Sequence, residues 1–197
     1  MGQIINLDCV HTKPYWTDYL LAKIFLPLTP KWLRPNHLTI LRFVLTPFVL
    51  WLLWTGDYKT GLAAFIIVAF TDAWDGMVAR MRQQITIWGT IYDPVADKIL
   101  IGGAVLILVV KHLGLPLALV IVILELLTIG GAFYFKLKGI LCPAIIWGKI
   151  KMLLQVVATV ILLTGMIGNW SVLFGVAYII FIISIVFGIL SLIRRGA

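Results

Sequence analysis

Thr71–Lys98 reads TDAWDGMVARMRQQITIWGTIYDPVADK. Asp72, Asp75, Asp93 and Asp97 stand within it, half of the eight acidic side chains in the chain. The sequence on both sides is strongly apolar, and a carboxylate in or near hydrocarbon is costly unless it is paired or bound to a cation. These four aspartates are therefore read as ligands of divalent metal at the ends of two membrane helices.

Spacing supports that reading. Asp72, Asp75, Gly76 and Ala79 follow i, i+3, i+4, i+7 and share one face of a helix. Gly89, Asp93 and Asp97 follow i, i+4, i+8. A helix over 59–80 enters the stretch and one over 89–111 leaves it. Depth then matches Asp72 with Asp97 and Asp75 with Asp93, all within ~12 Å of the helix ends at ~1.5 Å rise per residue. Two facing stripes meet across a cleft. Carboxylates so close cannot all stay ionised alone. Oxygen-only ligands favour Mg²⁺, Mn²⁺ or Ca²⁺ over zinc. A paired-metal site with a spare carboxylate suits displacement at phosphorus. Gly76 and Ala79 leave room for a ligand, and Arg80 offers phosphate a planar fork. Pro94 is either a first-turn proline or a kink. The competing reading pairs the aspartates with Arg80, Arg82 and Lys98 in a structural network or an ion pathway.

The rest of the chain defines the setting. Of 197 residues, 62% are hydrophobic and 12% charged, with a mean hydropathy of +1.08. Lipid must solvate much of that apolar surface. The fold class expected is all-α: a polytopic integral membrane protein with six transmembrane helices and an N-terminal interfacial amphipathic helix, in one domain over 1–197. Residues 1–35 form the cytoplasmic and interfacial segment, and 36–197 the six-helix bundle. The interfacial helix falls in 14–32, anchored by Tyr15, Trp16 and Tyr19 and broken by Pro27 and Pro30. Asn36 caps a first helix running to about Trp54. Later segments lie at 59–80, 89–111, 114–135, 150–168 and 172–193. Arg42, inside the first helix, either snorkels to the interface or faces an anionic ligand. Gly102-Gly103 and Gly130-Gly131 either let helices approach closely or are incidental.

Charge sets the orientation. Lys13, Lys23, Lys31, Arg34, Arg80, Arg82, Lys136, Lys138, Lys149, Lys151, Arg194 and Arg195 fall on one side, and Lys59 and Lys111 on the other. The positive-inside rule makes the first side, with both termini and the aspartates, cytoplasmic. The net charge of +8 thus reports topology, and no nucleic-acid partner is expected. Cys9 and Cys142 are read as free cytoplasmic thiols. No cleavable signal is evident, which fits a bacterial plasma membrane.

The fixed positions Asp72, Asp75, Gly76, Ala79, Arg80, Gly89, Asp93 and Asp97 resemble the signature of the CDP-alcohol phosphatidyltransferases, D-x2-D-G-x2-A-R-x8-G-x3-D-x3-D. Pro35-Asn36-x-Leu38-Thr39-x-x-Arg42 is similar to that family's entry to its first membrane helix. The resemblance implies an enzyme that displaces CMP from CDP-diacylglycerol with an alcohol. It implies two divalent ions, Mg²⁺ or Mn²⁺, on the four aspartates, with Asp97 also the base for the acceptor hydroxyl. It implies a CDP-lipid pocket lined by Asn36, Thr39, Gly76, Ala79, Arg80 and Thr86, and a homodimer among membrane lipids.

Asp93-Pro94-Val95-Ala96-Asp97-Lys98 is similar to the phosphatidylglycerophosphate and cardiolipin synthases of the family. Gly148-Lys149-x-Lys151-x-x-x-Gln155 is similar to the start of helix 5 in the glycerophosphate synthases. Met152 departs from the threonine common there. Leu124-Glu125-Leu126 stands where those enzymes carry an arginine-containing patch. Glycerol 3-phosphate is therefore the favoured acceptor, with Lys136, Lys138, Lys149 and Lys151 as its candidate cations. Phosphatidylglycerol, which needs less charge and a lateral opening, is the alternative. Outside enzymes, the alternative is a cation transporter with the aspartates as its path. Glu125 either pairs with a neighbouring base or sits in the cleft.

Overall fold

The computed structural model describes residues 19, 22–23, 29, 35–82, 87–137 and 146–196. The side chains at 35–36, 72–73, 79–80, 87–94, 132–137 and 195–196 lie outside that description. Every regular element among the described residues is helical: α1 (Pro35–Thr55), α2 (Tyr58–Met81), α3 (Ile87–His112), α4 (Leu115–Leu137), α5 (Ile146–Gly168) and α6 (Ser171–Gly196).

Helices corresponding to the six expected after residue 35 are present, with shifted ends; most of the expected interfacial helix over 14–32 lies outside the described residues. α1 begins on Pro35 rather than after an Asn36 cap. Proline suits a first helical turn because its missing N–H would have no partner there. Pro94 is not in a first turn, because α3 starts at Ile87 and continues through it. α5 starts at Ile146, a turn earlier than expected. A side chain at Gly148 would sit 3.4 Å from Ser191 Oγ, so glycine here marks contact with α6 rather than a loop.

His37–Thr55, Tyr58–Val78, Ile146–Gly168 and Ser171–Arg194 are long and apolar enough to cross a membrane, and Leu115–Gly131 is a shorter apolar helix. α1 shows the inside-out pattern this demands. Ile40, Val44, Phe48, Trp51 and Trp54 face outward, while Leu38, Thr39, Arg42, Thr46, Val49 and Leu53 are buried. No water-soluble protein would expose that aromatic and branched stripe at the expense of its polar residues. The protein is an integral membrane protein.

The chain forms two compact units. The first combines residues 1–46 and 66–97. In it, part of the expected interfacial segment fastens to the end of α2. Ala22 packs with the buried Met77 and Val78, flanked by Trp74 and Met81. Trp74 Nε1 donates to Thr29 Oγ1 at 3.0 Å, and Arg82 donates to the Thr29 carbonyl at 2.7 Å. Tyr19 is exposed. Tyr15 and Trp16 lie outside the described residues.

The second unit combines 47–65 and 98–197. Three two-residue connections lie at one end of it. Gly56, Gly114 and Asn169 take positive φ there, where the backbone turns back and where glycine and asparagine are best tolerated. Trp170 N–H reaches back to the Gly165 carbonyl, closing the last turn of α5. Rings tie the connections together: Tyr58 Oη lies 2.8 Å from His112 Nε2, and His112 meets Phe174 edge-on with centroids 6.5 Å apart. Lys111 bonds the Trp54 carbonyl and lies over its ring. α6 packs against both α5 and α4. Of the paired glycines, only Gly103 marks a close approach, a side chain there meeting Leu50 Cδ1 at 2.8 Å. Gly102, Gly130 and Gly131 have nothing within 4 Å.

Candidate active site

The first unit brings together side chains from three helices. Arg42 on α1 is fully buried. Its Nη2 donates to Asp75 Oδ2 on α2 at 2.7 Å and its Nη1 to Asp97 Oδ1 on α3 at 2.9 Å. One planar guanidinium thus bridges two carboxylates separated by 22 positions in the sequence, using the fork geometry that distinguishes arginine from lysine. Thr39 and Thr46 share its buried helix face, and Thr46 Oγ1 donates to the Arg42 carbonyl at 2.7 Å. Next along α1, Pro47 lacks the N–H that would bond the Phe43 carbonyl.

The two carboxylates differ in access. The Asp75 side chain keeps 4% of its exposure and that of Asp97 keeps 18%. Asp75 is sealed against the guanidinium, whereas Asp97 can be reached from outside. Gly76 follows Asp75 on the same turn of α2 and is half-buried. Asp72, Ala79 and Arg80 lie on α2 and Asp93 on α3, their side chains outside the description, as is Asn36. Thr86 lies outside the described residues altogether. Among the described residues no cluster of three metal-ligating side chains forms. What is present fits a cation. Two buried or half-buried carboxylates from different helices converge on one positive group, with oxygen as the only donor, the set that hard divalent ions prefer.

In the second unit, Lys151 on α5 is buried and its Nζ lies 2.6 Å from Glu125 Oε1 on α4. Gln155 Nε2 donates to the same oxygen at 3.2 Å. Gly188 on α6 makes room for the lysine stem: a side chain there would meet Lys151 Cδ at 3.4 Å. Of the two alternatives for Glu125, pairing with a base is the one observed. Lys151 is buried in that pair; Lys149 lies exposed at the helix entrance. Lys136 is on α4 with its side chain outside the description, and Lys138 lies outside the described residues. Beside the pair, Glu125 also lines an apolar cavity of about 200 Å³ between α3 and α4, walled by Lys98, Gly102, Leu106, Ile121 and Leu126 among others.

Sequence reasoning weighed Arg42 but did not connect it to the aspartates. The usable signal was its register with Thr39 and Thr46, three polar residues on one stripe of an otherwise apolar helix.

The sequence model of the CDP-alcohol phosphatidyltransferases matches residues 32–190, most of the chain. The chain belongs to the CDP-alcohol phosphatidyltransferase family. It is therefore a member of a family of membrane enzymes that transfer phosphatidyl groups in phospholipid synthesis. It is 32% identical over 139 residues to the CDP-diacylglycerol–glycerol-3-phosphate 3-phosphatidyltransferase of Rickettsia typhi, covering 68% of this chain and 78% of that protein. The Pseudomonas fluorescens protein of the same name is 35% identical over 142 residues, 66% of this chain and 72% of that one. A probable CMP-forming cardiolipin synthase of Drosophila melanogaster is 34% identical over 105 residues, 52% of this chain and 32% of that protein. As a phosphatidyltransferase of this family, the chain is expected to depend on divalent cations.

Proposed function

We propose that the protein transfers the phosphatidyl group of CDP-diacylglycerol to glycerol 3-phosphate, giving phosphatidylglycerophosphate and CMP. The acceptor hydroxyl oxygen attacks the phosphorus that carries diacylglycerol, and the bond from that phosphorus to CMP breaks, its electron pair leaving with CMP. The observation that carries the reading is the convergence of Asp75 and Asp97 from two helices inside the family signature. The names of the bacterial relatives favour glycerol 3-phosphate.

Asp97 takes the acceptor proton, a role its greater exposure suits. Arg80 grips phosphate with its fork. Gly76 and Ala79 leave space for the nucleotide, and Asn36, Thr39 and Thr86 line its pocket. Two divalent ions, Mg²⁺ or Mn²⁺, held by Asp72, Asp75, Asp93 and Asp97, would neutralise the phosphate oxygens. Lys136, Lys138, Lys149 and Lys151 supply positive charge for the acceptor. In this reading all six helices span a bacterial plasma membrane, with the site and both termini cytoplasmic. The chain is one catalytic domain that works as a homodimer.

A second reading has a specific observation behind it. The apolar cavity between α3 and α4 offers a hydrocarbon chain a wall of Gly102, Leu106, Ile121 and Leu126, which suits phosphatidylglycerol as a lipid acceptor. The ion pair with Glu125 also draws Lys151 away from a phosphate dianion. Purified protein given CDP-diacylglycerol, Mg²⁺ or Mn²⁺, and glycerol 3-phosphate, phosphatidylglycerol or inositol phosphate in turn decides between them. CMP release with glycerol 3-phosphate alone is expected. Release with phosphatidylglycerol alone would select the second reading, and no release with any acceptor would overturn both.

A further inference from the structure

Arg42 is positively charged, fully buried in a membrane protein, and bonded to two of the carboxylates read as cation ligands. We propose that Arg42 is the internal counter-cation of the acidic site. It neutralises Asp75 and Asp97 while no divalent ion is bound, and it competes with the ion for them.

The argument starts from charge. Two carboxylates drawn into a low-dielectric interior repel each other and lose hydration, so without an ion they need positive charge from the protein itself. The guanidinium supplies it at 2.7 and 2.9 Å, one N–H group to each carboxylate. A divalent ion entering between the same oxygens would meet a fixed positive group within a few ångströms, a repulsion that the interior screens weakly. Ion and guanidinium therefore exclude each other from Asp75 and Asp97.

The side chain is suited to such an exchange. Three methylenes let the head group move without displacing α1. The seat lies in the turn before Pro47, where the helix lacks its bond to the Phe43 carbonyl and Thr46 Oγ1 adds a side-chain bond to the Arg42 carbonyl. The alternative role is a fixed scaffold that holds the carboxylates ready for the ion, and it makes the opposite prediction. Removing a competitor tightens metal binding, whereas removing a scaffold loosens it.

The inference rests on the reading of Asp75 and Asp97 as cation ligands, so its test measures binding rather than turnover. Mn²⁺ affinity is measured by electron paramagnetic resonance on detergent-purified wild type, Arg42→Gln, Arg42→Lys and Asp75→Asn, with thermal unfolding in the presence and absence of the ion. Arg42→Gln is expected to bind Mn²⁺ about ten- to hundredfold tighter, since two charge-assisted hydrogen bonds no longer have to be broken. Its metal-free form should melt below the wild type, and the gap should close when Mn²⁺ is added. Unchanged or weaker binding would overturn the proposal in favour of the scaffold. Should Arg42→Gln fail to fold, Arg42→Lys decides: it keeps the charge without the fork, so binding several-fold tighter is expected, and equal or weaker binding is again fatal. Wild type that binds no Mn²⁺, or Asp75→Asn that binds it as well as wild type, would remove the cation-ligand reading and the inference with it.

Discussion

Replacing Glu125 by leucine leaves the Lys151 ammonium in its pocket with its carboxylate gone. Lys151 is 5% exposed, and Nζ lies 2.6 Å from Glu125 Oε1. Breaking a buried pair from one side typically costs about 3–5 kcal/mol, because a desolvated charge is stranded. Here relief is partial. The Glu125 side chain keeps 20% of its exposure, and Lys151 lies ~8 Å from the start of α5, so its stem can bend toward the interface. A loss of about 2–3 kcal/mol is expected for Glu125→Leu. Lys151→Met should cost about 2 kcal/mol for the same reason with the signs reversed. The double variant replaces both ions by apolar groups of similar volume and should lie within about 1 kcal/mol of the wild type. The cycle therefore predicts a coupling of about 3 kcal/mol or more. The assay is unfolding in mixed micelles of rising dodecyl sulfate fraction, followed by tryptophan fluorescence. A coupling below about 0.5 kcal/mol, with the double variant as unstable as the sum of the singles, would mean that the pair does not hold α4 to α5. Turnover adds a second test. If Lys151 serves only Glu125, the double variant keeps its KM for glycerol 3-phosphate; if the lysine also holds the acceptor, KM rises while stability does not change.

Asp97→Asn should bind CDP-diacylglycerol normally yet lose about 10²–10⁴-fold in kcat, because a base is removed while a polar group of the same shape remains; near-normal kcat would reassign the base. Gly103→Ala should destabilise the protein by about 1 kcal/mol and Leu50→Ala should relieve it, since the new methyl group meets Leu50 Cδ1 at 2.8 Å. Gly102→Ala, with nothing within 4 Å, should be neutral or stabilising in the same assay.

The helices were legible as apolar runs cut by turn residues, four of them long enough to cross a membrane and Leu115–Gly131 a shorter one. Gly56-Asp57, Leu113-Gly114 and Asn169-Trp170 are such cuts, and the structure turns at each. That Asp75 and Asp97 face the same region was legible for a different reason, although depth-matching had paired Asp75 with Asp93 and Asp97 with Asp72. Carboxylates are so unfavourable in an apolar chain that their spacing alone names a helix face. Arg42 was not. Depth-matching compared α2 with α3, and the missing partner came from α1, 33 residues before Asp75 and 55 before Asp97. No local pattern encodes that distance. It becomes visible only when three helices close on one another.

That Glu125 pairs with a base was one of the two alternatives the sequence left open; a helix boundary kept Lys151 from being singled out as that base, with a consequence for the acceptor. Reading Gly148 and Lys149 as a loop starts α5 near 150 and places Lys151 at the membrane entrance, where a lysine looks like part of the positive-inside flank. The helix in fact begins at Ile146. Those four residues carry Lys151 ~6 Å deeper along the axis, far enough to reach a glutamate in the interior of α4. Gly148 and Gly188 each face a neighbouring helix, where an added Cβ would lie 3.4 Å from Ser191 Oγ and from Lys151 Cδ respectively. The four lysines proposed for the acceptor are therefore unequal. Lys149 stands at the entrance with its side chain exposed, while Lys151 is balanced by a carboxylate and cannot offer a dianion its full charge. On that footing Lys149→Gln should raise the KM for glycerol 3-phosphate more than Lys151→Gln does, and Lys151→Gln should lower stability more than Lys149→Gln does. The reverse order in steady-state kinetics and unfolding would return Lys151 to the acceptor site and leave Glu125 as the group that tunes it.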